Sequence, residues 1–346
     1  MATPLPDTID SVAQLEEAMT RPSPRLVEAM RALEGDILVL GAGGKMGPTL
    51  TMLAARAIES SGVTRRVTAV STFSQPSVRE QLTSLGVVTQ KADLLAPGAF
   101  DGLPDAENVL YMVGRKFGST GAEWDTWATN VFAAGLAARR YAASRIVAFS
   151  SGNVYPFVPI DSGGATEATP PGSVGEYAMS GLGRERMWDY ASHHYGARVL
   201  HFRLNYAVEL RYGVILDVAQ KVWNSTPIDV TMGYANCVWQ GHANSVALQS
   251  FALATSPPTI LNVTGLERIS IRELAARMGA QLGKKPIIVG DEAPVALLSN
   301  AARCHEQFGP PDVSVDTLCR WIAHWIKSGG DTLAKPTHFE TRDGKF

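Results

Sequence analysis

The sequence predicts an α/β fold: a doubly wound parallel sheet, preceded by a short helical extension and followed by a smaller C-terminal lobe. Three observations carry that prediction. Apolar runs at 37–40, 67–70, 87–88, 109–113, 146–150 and 198–204 are unbroken rather than alternating, as strands covered on both faces must be. Helical stretches at 47–60, 76–85, 122–143 and 175–195 separate them, and strands alternating with helices pair in parallel. A glycine-rich turn joins the first run to the first of these helices.

Taken in order, residues 1–34 read as two short helices split by Pro22-Ser23-Pro24, the second with Leu26, Met30 and Leu33 at helical spacing. Glu34-Gly35-Asp36 turns the chain into the first strand. After Leu204 the rhythm changes: 206–240 is rich in aromatic and turn-forming residues, among them Trp223, Pro227, Tyr234 and Trp239. A strand at 260–263 precedes a helix starting near Ser270, where Ser270-x-x-Glu273 has capping-box spacing, and a further helix covers 314–327. The expected division is a helical extension (1–34), a dinucleotide-binding domain (35–205) and a substrate lobe (206–346). Part of 240–255 is expected to return to the sheet. The lobe should lie over the carboxyl ends of the strands, where such sheets bind ligands. The polar tail, 335–346, is expected on the surface.

Composition narrows the function. With 346 residues, 45% of them hydrophobic, and a net charge of −2, the chain has ample core material and no field to draw nucleic acid or an anionic membrane. No apolar run is long enough to span a bilayer, and the polar, proline-containing N-terminus does not read as a signal peptide. Cys237, Cys304 and Cys319 have neither disulfide nor metal-ligand spacing and read as small buried or neutral residues. A cytoplasmic protein without a metal is expected.

The glycine loop carries the chemistry. In 41–47, Gly41 permits the tight turn, Gly44 lets backbone N–H groups approach a pyrophosphate, and Gly47 allows the helix to pack on the strand. The helix N-terminus supplies unpaired donors for the anion. Lys45 and Met46 complete the loop. The second strand ends in Ser71-Thr72-Phe73-Ser74, with no carboxylate before Glu80 to repel a 2′-phosphate. With Lys45 adding positive charge, NADP is the expected cofactor and NAD the alternative.

These residues, with Asp93-Leu94, Thr129-Asn130-Val131, the run 149–155, Tyr177 opening a helix, and the stretches 261–265 and 269–274, give the chain its resemblance to a known family. From 37 to about 326 it resembles the extended short-chain dehydrogenase/reductases, the NAD-dependent epimerase/dehydratase group. The resemblance implies a Rossmann-like fold. It implies that Asp93 and Leu94 contact the adenine, that Val113 and Gly114 border the nicotinamide ribose, and that Asn130 stands behind the active site. Ser151 and Tyr177 fall on the family's catalytic serine and tyrosine. Independently, Ser173-x-x-Glu176 reads as a helix cap, which puts Tyr177 in a first helical turn near the sheet edge. Ser151 ends a strand, where its hydroxyl would bond a substrate oxygen while Tyr177 exchanges the proton.

The sequence also departs from the family. Glycine stands at 181, four residues after Tyr177, where the family carries a lysine that binds the nicotinamide ribose and lowers the tyrosine pKa. A free tyrosine titrates near ~10 and is only about 0.1% ionised at neutral pH. A cation within a few ångströms lowers that value by about 1–3. Arg184, two turns on along the same helical stripe, is the replacement considered, the alternative being a surface salt bridge with Asp189 or with another chain. Pro156 and Asn244 replace the family's usual glycine and aspartate. Arg115 and Lys116, after the fourth strand, would bind a substrate carboxylate or phosphate, or else form an exposed basic loop. Ser151, Asn153, Tyr155 and Asn205 offer hydrogen bonds to a polyol.

Two functions are compatible with this reading. One is an NAD(P)-dependent oxidoreductase, epimerase or dehydratase acting on a sugar or sugar-derived hydroxy compound, with Tyr177 as general acid/base. The other is a non-catalytic or regulatory dinucleotide-binding protein, for which Gly181 is the main support. In either case the helices at 122–143 and 175–195 would pair with a second subunit, so a homodimer is expected.

Overall fold

The structure is a computed structural model that describes residues 5–116, 118, 120–335 and 337–345; the first four residues of the extension, and 336 and 346 of the tail, lie outside it. Seven strands form one parallel sheet: β1 (Ile37–Leu40), β2 (Val67–Ser71), β3 (Val88–Lys91), β4 (Asn108–Tyr111), β5 (Arg145–Ser151), β6 (Arg198–Leu204) and β7 (Thr259–Val263). Their spatial order is β7-β6-β5-β4-β1-β2-β3. The order reverses between β1 and β4, and the crevice at such a reversal is where these sheets take ligands.

The unbroken apolar runs have a direct cause. Val39, Leu110 and Val147 pack on one face against α2 (Pro24–Ala32), α3 (Gly47–Ser61) and, with Leu200, α9 (Gln240–Gln249). Leu38, Leu40, Val109, Tyr111 and Ile146 pack on the other, against α6 (Ala133–Arg140) and α7 (Gly175–Tyr195). Both strand faces are therefore dry. Helix α9 is tied to α3 by side chains: the Gln240 and Asn244 amides both donate to the Thr49 hydroxyl.

A second core lies beyond the strand ends. It is built from α8 (Val214–Trp223), α10 (Ile271–Leu282) and α12 (Val315–Lys327), with Leu15 and Met19 of α1 (Val12–Thr20) inserted beside Trp239 and Trp321. The N-terminal extension thus joins the two cores, α1 packing on the lobe and α2 on the sheet. The caps at Ser270 and Ser314 form as side-chain bonds to the N–H groups of Glu273 and Thr317. Shorter helices α4 (Pro76–Ser84), α5 (Glu123–Trp127) and α11 (Ala302–Phe308), and four two-stranded sheets outside the main one, complete the described fold. Among the described residues no helix is long and apolar enough to cross a membrane.

Three local expectations are corrected. The stretch 122–143 is not one α-helix: α5 widens into a π turn at Ala128–Phe132 before α6 begins. That turn directs Asn130 inward, and such bulges recur at functional sites. Ser173 does not cap α7. Its hydroxyl donates to the Val154 carbonyl, Val174 is the N-cap without a side-chain bond, and Glu176 instead accepts from the Trp127 indole. The tail is not a surface appendage either. Thr337 and Phe339 are 1% exposed, because Phe339 supplies an aromatic face that the lobe core buries.

Candidate active site

The glycine loop sits at the crevice between β1 and β4. Gly41 takes φ +90°, and a Cβ there would stand 2.9 Å from the backbone of Met112 and Val113. Gly47, the first residue of α3, lies so close to Ala42 that a Cβ would run into its carbonyl. The strand, the turn and the helix N-terminus are therefore packed as tightly as a pyrophosphate cradle requires.

Two cavities open on either side of this loop and share Gly41, Gly44, Met112 and Gly114. The first, ≈330 Å³, is lined by Ser71, Asp93, Leu94 and Val113 among others. The second, ≈370 Å³, is lined by Lys45, Met46, Gly47, Lys116, Ser151, Asn153, Tyr177 and Asn205. Through these shared residues they join into one groove at the strand ends, with Ser151 and Tyr177 lining the second cavity.

Tyr177 lies in the first turn of α7, and Ser151 ends β5. The Ser151 hydroxyl accepts from the Asn153 N–H at 3.1 Å and is 3.1 Å from the Asn153 side-chain oxygen. A buried network braces this strand end. Ser150 bonds Glu185, Glu185 takes a two-pronged bond from Arg203, Arg203 lies over the Tyr155 ring, and Tyr155 donates to Asn262 at 2.8 Å. Burial alone would raise the Glu185 carboxyl; the Arg203 bonds outweigh it and hold the group below the usual range. Tyr155 is therefore spent on structure and does not face the sugar-sized cavity. Asn205 lines that cavity but directs its amide N–H to Asn236.

Asn130 is buried and its side chain is fully used. It accepts from the Arg115 N–H and from Arg184, and donates to the Arg115 carbonyl and the Ser180 hydroxyl. Arg184 is a buried residue and makes no surface bridge: Asp189 pairs with His201 and Arg186 instead. Its guanidinium, expected to lean back along α7 toward Tyr177, is engaged by other partners. All three nitrogens bond to Asn130 and the Phe149 carbonyl, and Nη2 lies 2.7 Å from where a Cβ of Gly114 would be. The charge thus sits beneath the groove floor.

The cation placed beside Tyr177 is Lys116, whose ammonium is 5.9 Å from the ring centre. It comes from the segment after β4 and not from α7, and donates to the Thr337 carbonyl at 2.8 Å. Burial pushes it down to about 8, against the opposing pull of Asp217. Arg115 turns away to Asp125 and the Gly118 carbonyl, so only one of the two basic residues faces the cavity. Lys45 is the second correction. Its side chain leaves the loop in the opposite direction from Ser71, bonding the Ala207 carbonyl at 2.9 Å over the Tyr212 ring at 4.2 Å. No basic side chain lines the first cavity among the described residues, and its one charged lining residue is Asp93. The cation expected to favour NADP is therefore not there.

Sequence reasoning missed the tail, which contacts Lys116 and sends Lys335 to the cavity. No spacing rule signals such a contact, since 221 residues separate its partners.

With this geometry in place, the comparisons identify the family. The sequence profile of the NAD dependent epimerase/dehydratase family matches residues 37–208, about half of the chain. The chain belongs to that family of enzymes. Among curated proteins none matches it in sequence. Solved structures share its fold at low identity. A mutant of UDP-glucuronic acid 4-epimerase from Bacillus cereus, in complex with NAD and UDP-4-deoxy-4-fluoro-glucuronic acid, superposes with TM-score 0.70 at 14% identity, covering 84% of this chain and 99% of that one. A UDP-glucose 4-epimerase from Thermus thermophilus in complex with NAD gives 0.68 at 18%, covering 84% and 99%. One from Thermotoga maritima with UDP-glucose gives 0.66 at 13%, covering 85% and 99%.

Proposed function

We propose that the chain is an NAD-dependent enzyme acting at a hydroxyl-bearing carbon of a sugar or sugar-derived compound. The observation that carries this reading is the meeting of the glycine loop, Ser151 and Tyr177 around one continuous groove. A bound nicotinamide supplies hydride acceptance and return. The chain supplies the rest. Tyr177, as tyrosinate, takes the proton of the reacting hydroxyl, and Ser151 hydrogen-bonds the same oxygen, held ready by Asn153. Lys116, beside the Tyr177 ring, stands in for the lysine absent at Gly181. Asn130 and Arg184 position the groove floor without touching the reacting atoms.

NAD is favoured over NADP because a 2′-phosphate would meet no cation in the adenosine half of the groove. The exposed Trp124, Phe132, Met179, Tyr190 and Tyr195 on α5, the π turn and α7 support a homodimer through these helices. Three free, buried cysteines suit a reducing compartment.

The test is turnover of NAD with a panel of aldoses and sugar acids by Tyr177→Phe beside the parent protein. Loss of turnover with NADH binding intact is expected. Turnover that survives the change would refute the mechanism, and binding of NAD without turnover of any hydroxy compound would favour the regulatory reading.

A further inference from the structure

A lysine on its long, rotamer-rich stem is a fixed cation only when both of its ends are held. Lys116 is held at both. At the backbone end, the N–H and the carbonyl of Arg115 are bonded to the Asn130 side chain. At the far end, the ammonium donates to the Thr337 carbonyl at 2.8 Å, a partner 221 residues further along the chain.

Thr337 is itself fixed. It is buried, and its N–H and hydroxyl both donate to one carboxylate oxygen of Asp217, at 2.7 and 2.5 Å. Asp217 lies in the first turn of α8, where the helix N-terminus favours a negative charge. The tail is tied on either side of this point. Before it, the Leu333 N–H donates to the Arg211 carbonyl; after it, Phe339 enters the lobe core and Glu340 pairs with Lys221. At the end, Gly344 and Gly175 both take positive φ and meet backbone to backbone, Gly175 lying two residues before Tyr177. Anchoring the tail needs only Phe339. The oriented chain Asp217, Thr337, Lys116, Tyr177 does something more, since it ends on a cation lining the same cavity as Tyr177 and Ser151.

We infer that Asp217 and Thr337 are positioning residues for the reaction. Asp217 fixes Thr337, and the Thr337 carbonyl holds the Lys116 ammonium beside the Tyr177 ring, so that the C-terminal tail completes the active site. This rests on the proposed reading of Tyr177 and Lys116.

The experiment compares Thr337→Val, which removes the hydroxyl bond to Asp217 at nearly constant shape, with Thr337→Ser, which keeps it, in the full-length protein. With NAD and whichever aldose or sugar acid turns over, Thr337→Val should lower kcat about tenfold by misplacing Lys116, with KM changed less than about twofold. Thr337→Ser should restore most of the loss. Asp217→Asn, which keeps the shape but not the charge, should give a smaller loss of the same kind. In a Lys116→Gln background neither change should have a further effect, because both act only through that lysine. A second readout needs neither cofactor nor substrate. In protein labelled with lysine carrying nitrogen-15 on the side chain, the Lys116 ammonium, assigned by its loss in Lys116→Gln, should give a slowly exchanging resonance at mildly acidic pH. That resonance should broaden in Thr337→Val. A parent protein without it, a resonance unmoved by Thr337→Val, or additive losses in the double variant overturns the inference. Turnover that survives Tyr177→Phe, or an unchanged kcat in Lys116→Gln alone, would instead refute the reading on which it rests.

Discussion

Lys116 and Arg184 show how position decides what a cation does. Lys116 stands 5.9 Å from the Tyr177 ring centre in the open cavity, whereas Arg184 is bonded away beneath it. Lys116→Gln should therefore lower kcat about 100- to 1000-fold and leave NADH affinity nearly unchanged, with partial rescue by Lys116→Arg. An unchanged kcat would remove Lys116 from the mechanism. Arg184 acts on structure. Arg184→Lys keeps a charge but not the three-nitrogen fork, leaving Asn130 or the Phe149 carbonyl unbonded at a cost of about 1–3 kcal/mol. Urea unfolding measures it. Gly47→Ala should cost a similar 1–3 kcal/mol by overpacking against Ala42, and weaken NADH binding as the cradle opens.

Among the elements, the tail is the one whose behaviour is least like its composition. It is polar, yet one aromatic side chain commits it to the core. Phe339→Ala removes that anchor, and truncations of this kind cost about 3–5 kcal/mol where the whole side chain is buried. The segment's other contacts are hydrogen bonds and ion pairs and not apolar packing, so local release is the expected outcome and not global unfolding. Tryptic cleavage after Arg342 should accelerate sharply, read by mass spectrometry, while the thermal midpoint of the rest moves little. Equal cleavage rates in the two proteins would show that Phe339 is not the anchor.

For the whole molecule, Lys45 gives the candidate site a pH dependence of defined sign. Burial lowers its ammonium from the ordinary 10.5 to about 7, with Glu209 opposing and Arg211 reinforcing the shift, and Tyr212 and Lys335 completing its surroundings. The unfolded chain holds this proton more tightly between pH 7 and 10.5, so the unliganded protein gains stability from Lys45 as pH rises through that window. Urea unfolding of the protein and of Lys45→Met at pH 7, 8 and 9 checks this: the difference between them should move in favour of Lys45 as pH rises, and a difference that does not change with pH would show that its ammonium is not depressed. The exposed aromatics of α5 and α7 make the assembly a molecule-scale question too: light scattering should give twice the mass of 37.1 kDa, and a monomer at micromolar concentration would refute the dimer.

The sheet, the glycine loop and the place of Tyr177 and Ser151 were legible in the order of residues alone. Those features rest on period, turn chemistry and spacing within a few residues, which local physics reads directly: β1 and β6 span the residues expected. The absence of a lysine after Tyr177 was legible in the same way. Where long, flexible side chains go was settled by folding. Lys45 has the same neighbours in sequence whether it reaches a ribose phosphate or the Ala207 carbonyl, 162 residues away. Lys116, Arg184 and Phe339 likewise answer to partners brought together across the chain. Which cation stands beside Tyr177 and where the tail lies depend on those partners, because charge and burial act through space and the chain records only order.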